Sequence, residues 1–234
     1  MVVLVTQIND TKKIIIALDY DDKKSVINLC DQVDPSYCRL KVGKQLFTKF
    51  GPSIIDIIHK KNFEVFLDLK FHDIPITVYN ACLEAYKLGV WMLNIHLLGG
   101  EEMILAAKEA RDHQNPSALL IGVTLLTSHD DEHLQHMGLY DRTSVVKRLA
   151  SLADNCSING VVCSPADIIH IKNIASDFVY VTPGIRLNGR TDDHAIIYTP
   201  EKAISAGSSY LVIGRPITKA KDPMSIINKV RSLI

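Results

Sequence analysis

The residues best suited to chemistry lie in one short stretch, EVFLDLKFHDIP, at 64–75. Its first half is apolar, and three ionisable residues follow, Asp68, Lys70 and Asp73. In a β-strand, side chains two residues apart point to the same face, so Asp68 and Lys70 would lie side by side. Such a pair could take part in proton transfer, or it could be a structural ion pair. Asp73 directly precedes an Ile-Pro pair, where it could instead cap a helix.

The strands that would position these residues recur along the chain. Short apolar runs alternate with longer segments whose apolar residues recur every three or four positions, a pattern that indicates strands alternating with amphipathic helices. The runs are almost continuously apolar, as is typical of parallel strands covered by helices. They span 14–19, 37–43, 64–70, 91–97, 118–126, 160–164, 178–183 and 210–215. Eight such units predict one α/β domain over residues 1–234, a closed (β/α)8 TIM barrel.

Composition and local motifs exclude several other classes of protein. Lys+Arg and Asp+Glu each number 26, so no net charge attracts nucleic acid or an anionic membrane. No apolar run is long enough to span a membrane, and the start of the chain lacks the basic leader of a signal peptide. No Gly-rich turn follows the first strand, which argues against a dinucleotide-binding fold. Five cysteines without a CxxC pair favour reduced, mostly buried thiols in a cytoplasmic protein.

Polar residues occupy the positions where a (β/α)8 barrel places its chemistry, at the carboxyl ends of the strands and in the loops after them. They are Asp19, Lys41, Asp68, Lys70, His96, Thr127, Arg186, Gly214 and Arg215. We interpret His96 and its neighbour Trp91 as rim and packing residues rather than catalysts. The histidines of HDDEHLQH (129–136) belong to a polar loop and short helix, so we expect no metal there.

The last two strands each end beside a glycine and an arginine, in TPGIR (182–186) and GRPI (214–217). Loops after strands seven and eight of such barrels often hold phosphate through backbone N–H groups. Arginine supplies bidentate charge, and glycine lets the backbone approach closely. The two fragments together predict a phosphate site.

Taken in order, these fragments resemble the bacterial orotidine 5′-monophosphate decarboxylase family. The resemblance rests on IIALD, LKVGKQLFTKFGP, FLDLKFHDIPITV, GVTLLTS, TPGIRLNG and YLVIGRPIT, which together cover nearly the whole length. Within them, DLKFHDIP matches the DxKxxD motif of that family. The resemblance implies a homodimeric barrel that converts orotidine 5′-monophosphate to uridine 5′-monophosphate and CO2, the last step of de novo UMP synthesis. It also implies that the reaction needs neither a metal nor an organic cofactor.

The resemblance further implies a role for each matched residue. Lys70 would donate a proton to C6, Asp68 would face the substrate carboxylate, and Lys41 would bridge the ribose and the charged network. Asp73 would reach into the active site of the neighbouring subunit. Thr77, from the same segment as Asp73, would contact the ribose of that neighbouring substrate. The remaining contacts would be Asp19 at the ribose, Thr127 at the pyrimidine, and Arg186, the backbone of Gly214 and Arg215 at the phosphate.

The sequence departs from the family pattern in two places. After PGIR the family usually has a glutamine that spans phosphate and pyrimidine, whereas the loop here is one residue shorter and offers His194. Leu97 and Leu98 stand where smaller residues are common. Neither departure affects the set formed by Lys41, Asp68, Lys70 and Asp73.

Two other functions fit parts of the pattern. The related 3-keto-gulonate-6-phosphate decarboxylase and hexulose-phosphate synthase also have a DxKxxD motif, but they use magnesium and typically have a carboxylate in place of Lys41. A non-catalytic barrel that binds a phosphorylated ligand would have lost at least one of the four charged residues, and all four are present.

A pH profile tests the expectation for His194. Histidine ordinarily loses its charge at about pH 6–7, so if His194 binds the phosphate, KM should rise as the pH passes through that range. The substrate phosphate titrates in the same range, so His194→Gln measured in the same buffers is the control. Identical profiles for the two proteins would exclude His194 as a phosphate ligand.

Overall fold

Eight parallel strands close into a barrel in chain order in this computed structural model, which describes residues 11–129, 131–175, 177–187 and 198–234. The strands are β1 Ile14–Ala17, β2 Cys38–Gly43, β3 Val65–Phe71, β4 Met92–His96, β5 Leu119–Val123, β6 Gly160–Val162, β7 Val179–Thr182 and β8 Tyr210–Ile213. Each begins within one residue of its predicted start. The predicted (β/α)8 TIM barrel is therefore confirmed.

Helices follow the strands and cover the outside of the barrel. Those of the described residues are α1 Lys23–Gln32, α2 Lys44–Phe50, α3 Ser53–His59, α4 Pro75–Lys87, α5 Glu101–Gln114, α6 Asp131–His136, α7 Arg142–Asn155, α8 Pro165–Ile171, α9 Pro200–Ala206, α10 Arg215–Thr218 and α11 Pro223–Arg231. A short 3-10 segment, Leu97–Gly99, follows β4. Four of these helices begin with proline, whose fixed φ suits the first helical position and whose missing N–H costs no hydrogen bond there.

Alternation along the strands divides the core into two clusters. On β1, Ile14 and Ile16 pack with the helices, whereas Ile15 and Ala17 belong to a smaller cluster inside the barrel. The inner cluster also contains Phe66 of β3, Met92 of β4 and residues of β5, β7 and β8. Because side chains alternate, the next inward positions toward the carboxyl end are polar on β3 and β4. The barrel interior is therefore mostly apolar below its charged mouth, with Arg39 of β2 also buried there against Trp91 and Tyr210.

One of the two departures from the family pattern has a packing explanation. Leu97 is fully buried, and a Cβ added to Gly122 of β5 would lie 2.4 Å from its side chain. The larger residue at 97 is thus accommodated because position 122 has no side chain. Leu98 remains 41% exposed.

Two predictions from composition can also be compared with the structure. All five cysteines are buried and unbonded, as predicted. Within the described residues, no helix has both the length and the apolar character needed to cross a membrane.

Candidate active site

A buried carboxylate between two lysines lies at the centre of the barrel mouth. Asp68 of β3 places Oδ2 3.0 Å from Nζ of Lys41 on β2 and Oδ1 2.5 Å from Nζ of Lys70. The Lys41 ammonium also lies 4.0 Å from Asp19, just beyond β1. The side chains of Asp68 and Lys41 are only 11% and 9% exposed, whereas that of Asp19 is 69% exposed. These residues and Lys70 therefore form one charged network across three adjacent strands.

The lysines determine the charge state of Asp68. Burial by itself would raise the pKa of this carboxyl, but the nearby Lys41 and Lys70 ammonium groups and hydrogen bonds from Lys70 and Asn94 lower it from 3.8 to about 2. Asp68 is consequently an anion throughout the physiological pH range. A second carboxylate brought to this site by a ligand would meet a fixed negative charge.

The backbone of β3 is irregular where it presents Lys70. Lys70 has a φ of +50°, a left-handed conformation that a non-glycine residue rarely adopts. The pairing of β3 with β4 shifts register between Leu67 and Phe71. Such irregularities are common near active sites, where they direct a side chain. The alternation of side chains predicted that Asp68 and Lys70 share one face, but it did not predict this distortion.

Asn94 is the site residue that was not predicted from the sequence. It lies on β4, is 1% exposed, and hydrogen-bonds both Asp68 and the backbone of Lys70. Extending the alternation along β4 from Met92 would have pointed to it, since Met92 belongs to the inner cluster.

The predicted phosphate residues follow β7 and β8. Gly214 adjoins Asp19, because a Cβ added at Gly214 would lie 3.5 Å from the Asp19 carboxylate. Arg215 is exposed and begins α10. Arg186 donates its backbone N–H to Tyr198 at 3.0 Å, so the two flanks of 188–197 are joined next to it. His194 lies outside the described residues.

Other predicted residues lie outside the buried network. Thr127 is exposed in the turn after β5, and Asp73 and Thr77 are exposed around the start of α4. The helix-capping alternative for Asp73 is wrong. The N-cap of α4 is Ile74, and no side-chain cap hydrogen bond is formed there. The Asp73 carboxylate accepts instead from the N–H of Ile74, at 2.7 Å. Within the described residues it forms no ion pair.

The aromatic residues of β4 take two different roles. Trp91, just before the strand, packs against Tyr210 with ring centroids 5.1 Å apart and holds the Arg39 guanidinium 3.9 Å from its own centroid, so its packing role is confirmed. His96 stacks on His72 at 5.4 Å at the mouth. Burial, and then the proximity of other cationic groups, lowers the pKa of His96 to about 4, so it is neutral near pH 7.

The fold and the site define a (β/α)8-barrel enzyme whose charged residues gather at the carboxyl ends of the strands. Residues 12–230 match a sequence profile described as the orotidine 5′-phosphate decarboxylase / HUMPS family. The chain belongs to this family.

Named relatives agree with this assignment over nearly the full length. The chain is 50% identical over 221 residues to an orotidine 5′-phosphate decarboxylase of Nitrosospira multiformis, with 93% of this chain and 92% of the relative covered. It is 48% identical over 221 residues to the enzyme of that name from Saccharophagus degradans, with 93% of each chain covered. A crystal structure of the Lactobacillus acidophilus orotidine 5′-phosphate decarboxylase superposes with a TM-score of 0.84, at 35% identity, covering 95% of this chain and 98% of that one.

Acid titration of stability tests the electrostatic environment of Asp68. Because its folded pKa lies below the ordinary 3.8, ionised Asp68 stabilises the fold above about pH 4, and this stabilisation is lost as the pH falls through about 2. Near pH 3, the free energy of unfolding of both proteins should fall as the pH decreases. The slope for wild type should exceed that for Asp68→Asn by about 1 kcal/mol per pH unit. Urea unfolding between pH 5 and pH 3 measures both slopes.

Asp31→Asn is the matched control, since it removes an exposed carboxylate that pairs with Lys61 at 2.5 Å. Asp31→Asn shows how much the pH dependence of stability changes when any one carboxylate is lost, so the remaining difference in Asp68→Asn is due to the buried position of Asp68. Equal slopes for wild type and Asp68→Asn would contradict the lowered pKa of Asp68.

Proposed function

We propose that this chain, acting as a single domain in the cytoplasm, decarboxylates orotidine 5′-monophosphate to uridine 5′-monophosphate in pyrimidine biosynthesis, with Lys70 as the proton donor to C6. The observation that supports this proposal most strongly is the contact of Lys70 with Asp68 at 2.5 Å, in the barrel mouth of a member of this family. An ammonium fixed beside a carboxylate suits a reaction that creates negative charge and then needs a proton.

The reaction breaks the bond between C6 and the carboxyl carbon. CO2 departs, and the electron pair of that bond stays on C6. The Lys70 ammonium offsets this developing charge and then transfers its proton to C6, which completes uridine 5′-monophosphate. Donors that are already oriented before the reaction stabilise such charge most effectively, because nothing has to reorganise as the charge forms. Asp68 provides this orientation through its contact with Lys70.

Asp68 also affects the bound substrate. It lies opposite the substrate carboxylate, and as an anion held between Lys41 and Lys70 it cannot move away without breaking both contacts. Repulsion between the two carboxylates raises the energy of the bound state, and loss of CO2 relieves it. The lysines stabilise the transition state at the same time. Both effects therefore arise from the same groups: Asp68, Lys41, Lys70 and the substrate carboxylate.

Binding of the distant parts of the substrate opposes this repulsion. Arg186, Arg215 and the backbone of Gly214 hold the phosphate, and Asp19 and Lys41 hold the ribose. Thr127 contacts the pyrimidine from the turn after β5, and His194 takes the place of the usual glutamine. Binding energy from groups that do not react can thereby offset the strain at the reacting carbon.

Lys41 favours the pyrimidine nucleotide over the sugar phosphates used by related enzymes. Its ammonium lies between Asp68, at 3.0 Å, and Asp19, at 4.0 Å. A carboxylate at this position, as in the sugar-phosphate enzymes, would be repelled by both and would require a cation such as magnesium to bind there. With lysine present, the site is electrostatically balanced without one.

The active site is completed by a second copy of this chain. Asp73 is exposed and directed to its own backbone, so in the described residues it does not join the charged network of its own barrel. It is followed by Ile74 and Ile76, which are 62% and 61% exposed. Two exposed isoleucines beside a carboxylate suit a self-complementary contact, in which each chain lends Asp73 to the other.

Replacement of Lys70 tests both the reaction and its proton donor. Chelator-treated wild type should consume orotidine 5′-monophosphate, which is followed by its absorbance. Lys70→Ala should lose about 10²- to 10⁴-fold or more in kcat, because it removes the proposed proton donor to C6. Circular dichroism and thermal unfolding establish that the variant is folded.

Lys87→Ala is the control, since it removes an exposed lysine that pairs with Glu84 at 2.6 Å on α4. It should retain wild-type turnover. Failure of wild type to consume the substrate would refute the proposed reaction, whereas substantial turnover by folded Lys70→Ala would refute only the role of Lys70.

Mixing two inactive variants tests the shared site. Lys70→Ala and Asp73→Ala should each be nearly inactive alone. In a mixed dimer, one site receives both defects and the other receives neither. With free exchange half of the dimers are mixed, so activity should recover to roughly a quarter of wild type. The two variants are unfolded and refolded together, and activity is then measured.

Each variant refolded alone is the control for this experiment. If Asp73 acts within its own chain, every chain keeps its defect and mixing recovers nothing. Activity no higher than that of the separate controls would therefore exclude Asp73 from the neighbouring site.

A further inference from the structure

Asn94 connects the backbone of Lys70 to the carboxylate of Asp68, two parts of the active site whose relative position matters for the reaction. It points into the barrel from β4 and is 1% exposed, so it is inaccessible to a substrate. Both ends of its carboxamide are used. Its Oδ1 accepts from the backbone N–H of Lys70 at 2.8 Å, and its Nδ2 donates to Oδ1 of Asp68 at 2.7 Å.

The first of these bonds compensates for the irregularity of β3. Leu67 pairs with Leu93 and Phe71 with Ile95, so three residues of β3 face the single residue Asn94. Within this bulge the ladder between the strands is interrupted, and a buried N–H without a partner would be costly. The Asn94 side chain replaces the missing ladder acceptor for Lys70, whose backbone is in the left-handed conformation.

The second bond acts on the counter-ion of the same lysine. Asp68 Oδ1 accepts from Asn94 and also from the Lys70 ammonium at 2.5 Å. Asn94 thus fixes the backbone from which the Lys70 side chain starts and the carboxylate at which it ends. Lys41, at the other oxygen of Asp68, is the remaining charged group in contact with this carboxylate among the described residues.

We propose that Asn94 is a positioning residue for proton transfer: it holds Lys70 in the conformation that delivers its proton to C6. The inference rests on the proposed function. Asn94 contacts no reacting atom, and it acts through Lys70 and Asp68. Its loss should lower kcat and leave KM largely unchanged, because the predicted phosphate residues lie on other strands.

Replacement of Asn94 by alanine is the first test. Asn94→Ala removes both hydrogen bonds, and a proton donor displaced by about 1 Å commonly costs about 10²-fold in rate. We expect kcat for orotidine 5′-monophosphate to fall about 10- to 100-fold, with KM within about threefold of wild type. Measurements are made well below the unfolding temperature of each protein. A kcat within about threefold of wild type would overturn the proposal.

Replacement by aspartate is the second test, and it does not depend on how well Asn94→Ala folds. In the Asn94→Asp variant, a protonated carboxyl at this position can donate to Asp68 and accept from Lys70, as asparagine does. An ionised carboxylate would instead repel Asp68. When two carboxyl groups lie side by side, this repulsion raises the pKa of one of them, so that it stays protonated to a higher pH than usual. The ratio of kcat for Asn94→Asp to kcat for wild type should therefore rise at least several-fold as the pH falls from about 8 to about 5.

The ratio cancels the titration of the substrate phosphate and of every group common to both proteins. A ratio that stays low and constant with pH would overturn the proposal. Protonation of the carboxyl at position 94 would then fail to restore kcat, which is the result expected if the residue served only the stability of the fold. Absence of turnover in wild type would instead refute the proposed function.

Asn159→Ala is the matched structural control. Like Asn94, Asn159 uses its side-chain oxygen to join strands, accepting from the N–H of Leu120 at 2.8 Å and from Arg111 at 2.5 Å. It stands just before β6, at the opposite end of the barrel from the charged network. Its replacement should lower the unfolding temperature and leave kcat unchanged.

Discussion

The structure of the mouth depends on the burial of one carboxylate between two ammonium groups. The side chain of Asp68 is almost entirely removed from water, a position that would favour its neutral form without compensation. Lys41 and Lys70 provide that compensation at 3.0 and 2.5 Å. Together with Asp19 the three groups carry no net charge, so removing any one of them would leave an unbalanced charge in a partly buried network, and their positions are mutually dependent.

The barrel supplies the geometry that this balance requires. Parallel strands that close into a ring bring residues that are distant in sequence to adjacent inward positions, and each strand contributes one or two of them. Asp19 follows β1, and Lys41 and Asp68 lie within β2 and β3, the next two strands. Below them the interior is filled mainly with apolar side chains, so the network is supported on one side and is open to substrate on the other. At the local distortion of β3, the side chain of Asn94 accepts the hydrogen bond of the Lys70 backbone N–H.

Much of this could be predicted from the sequence, for physical reasons. The strands were found because parallel buried strands are continuously apolar, and the contact of Asp68 with Lys70 was found because side chains alternate. The left-handed backbone at Lys70 and the register shift beside it could not be found, since no glycine or proline marks them. Alternation along β4 can place Asn94 inside the barrel, but its role cannot be predicted, because an asparagine within an apolar strand has no chemistry of its own until its partners are known.

The most direct test of this account is the titration of Asp68 itself. Nuclear magnetic resonance of the side-chain carboxyl carbon, assigned by comparison with Asp68→Asn, follows its ionisation. With Lys41 and Lys70 beside it, Asp68 should titrate with a pKa of about 2, so the carboxyl should still be about nine-tenths ionised at about pH 3. A midpoint at or above the ordinary value of 3.8 would contradict it, because Lys41 and Lys70 would then not compensate for burial.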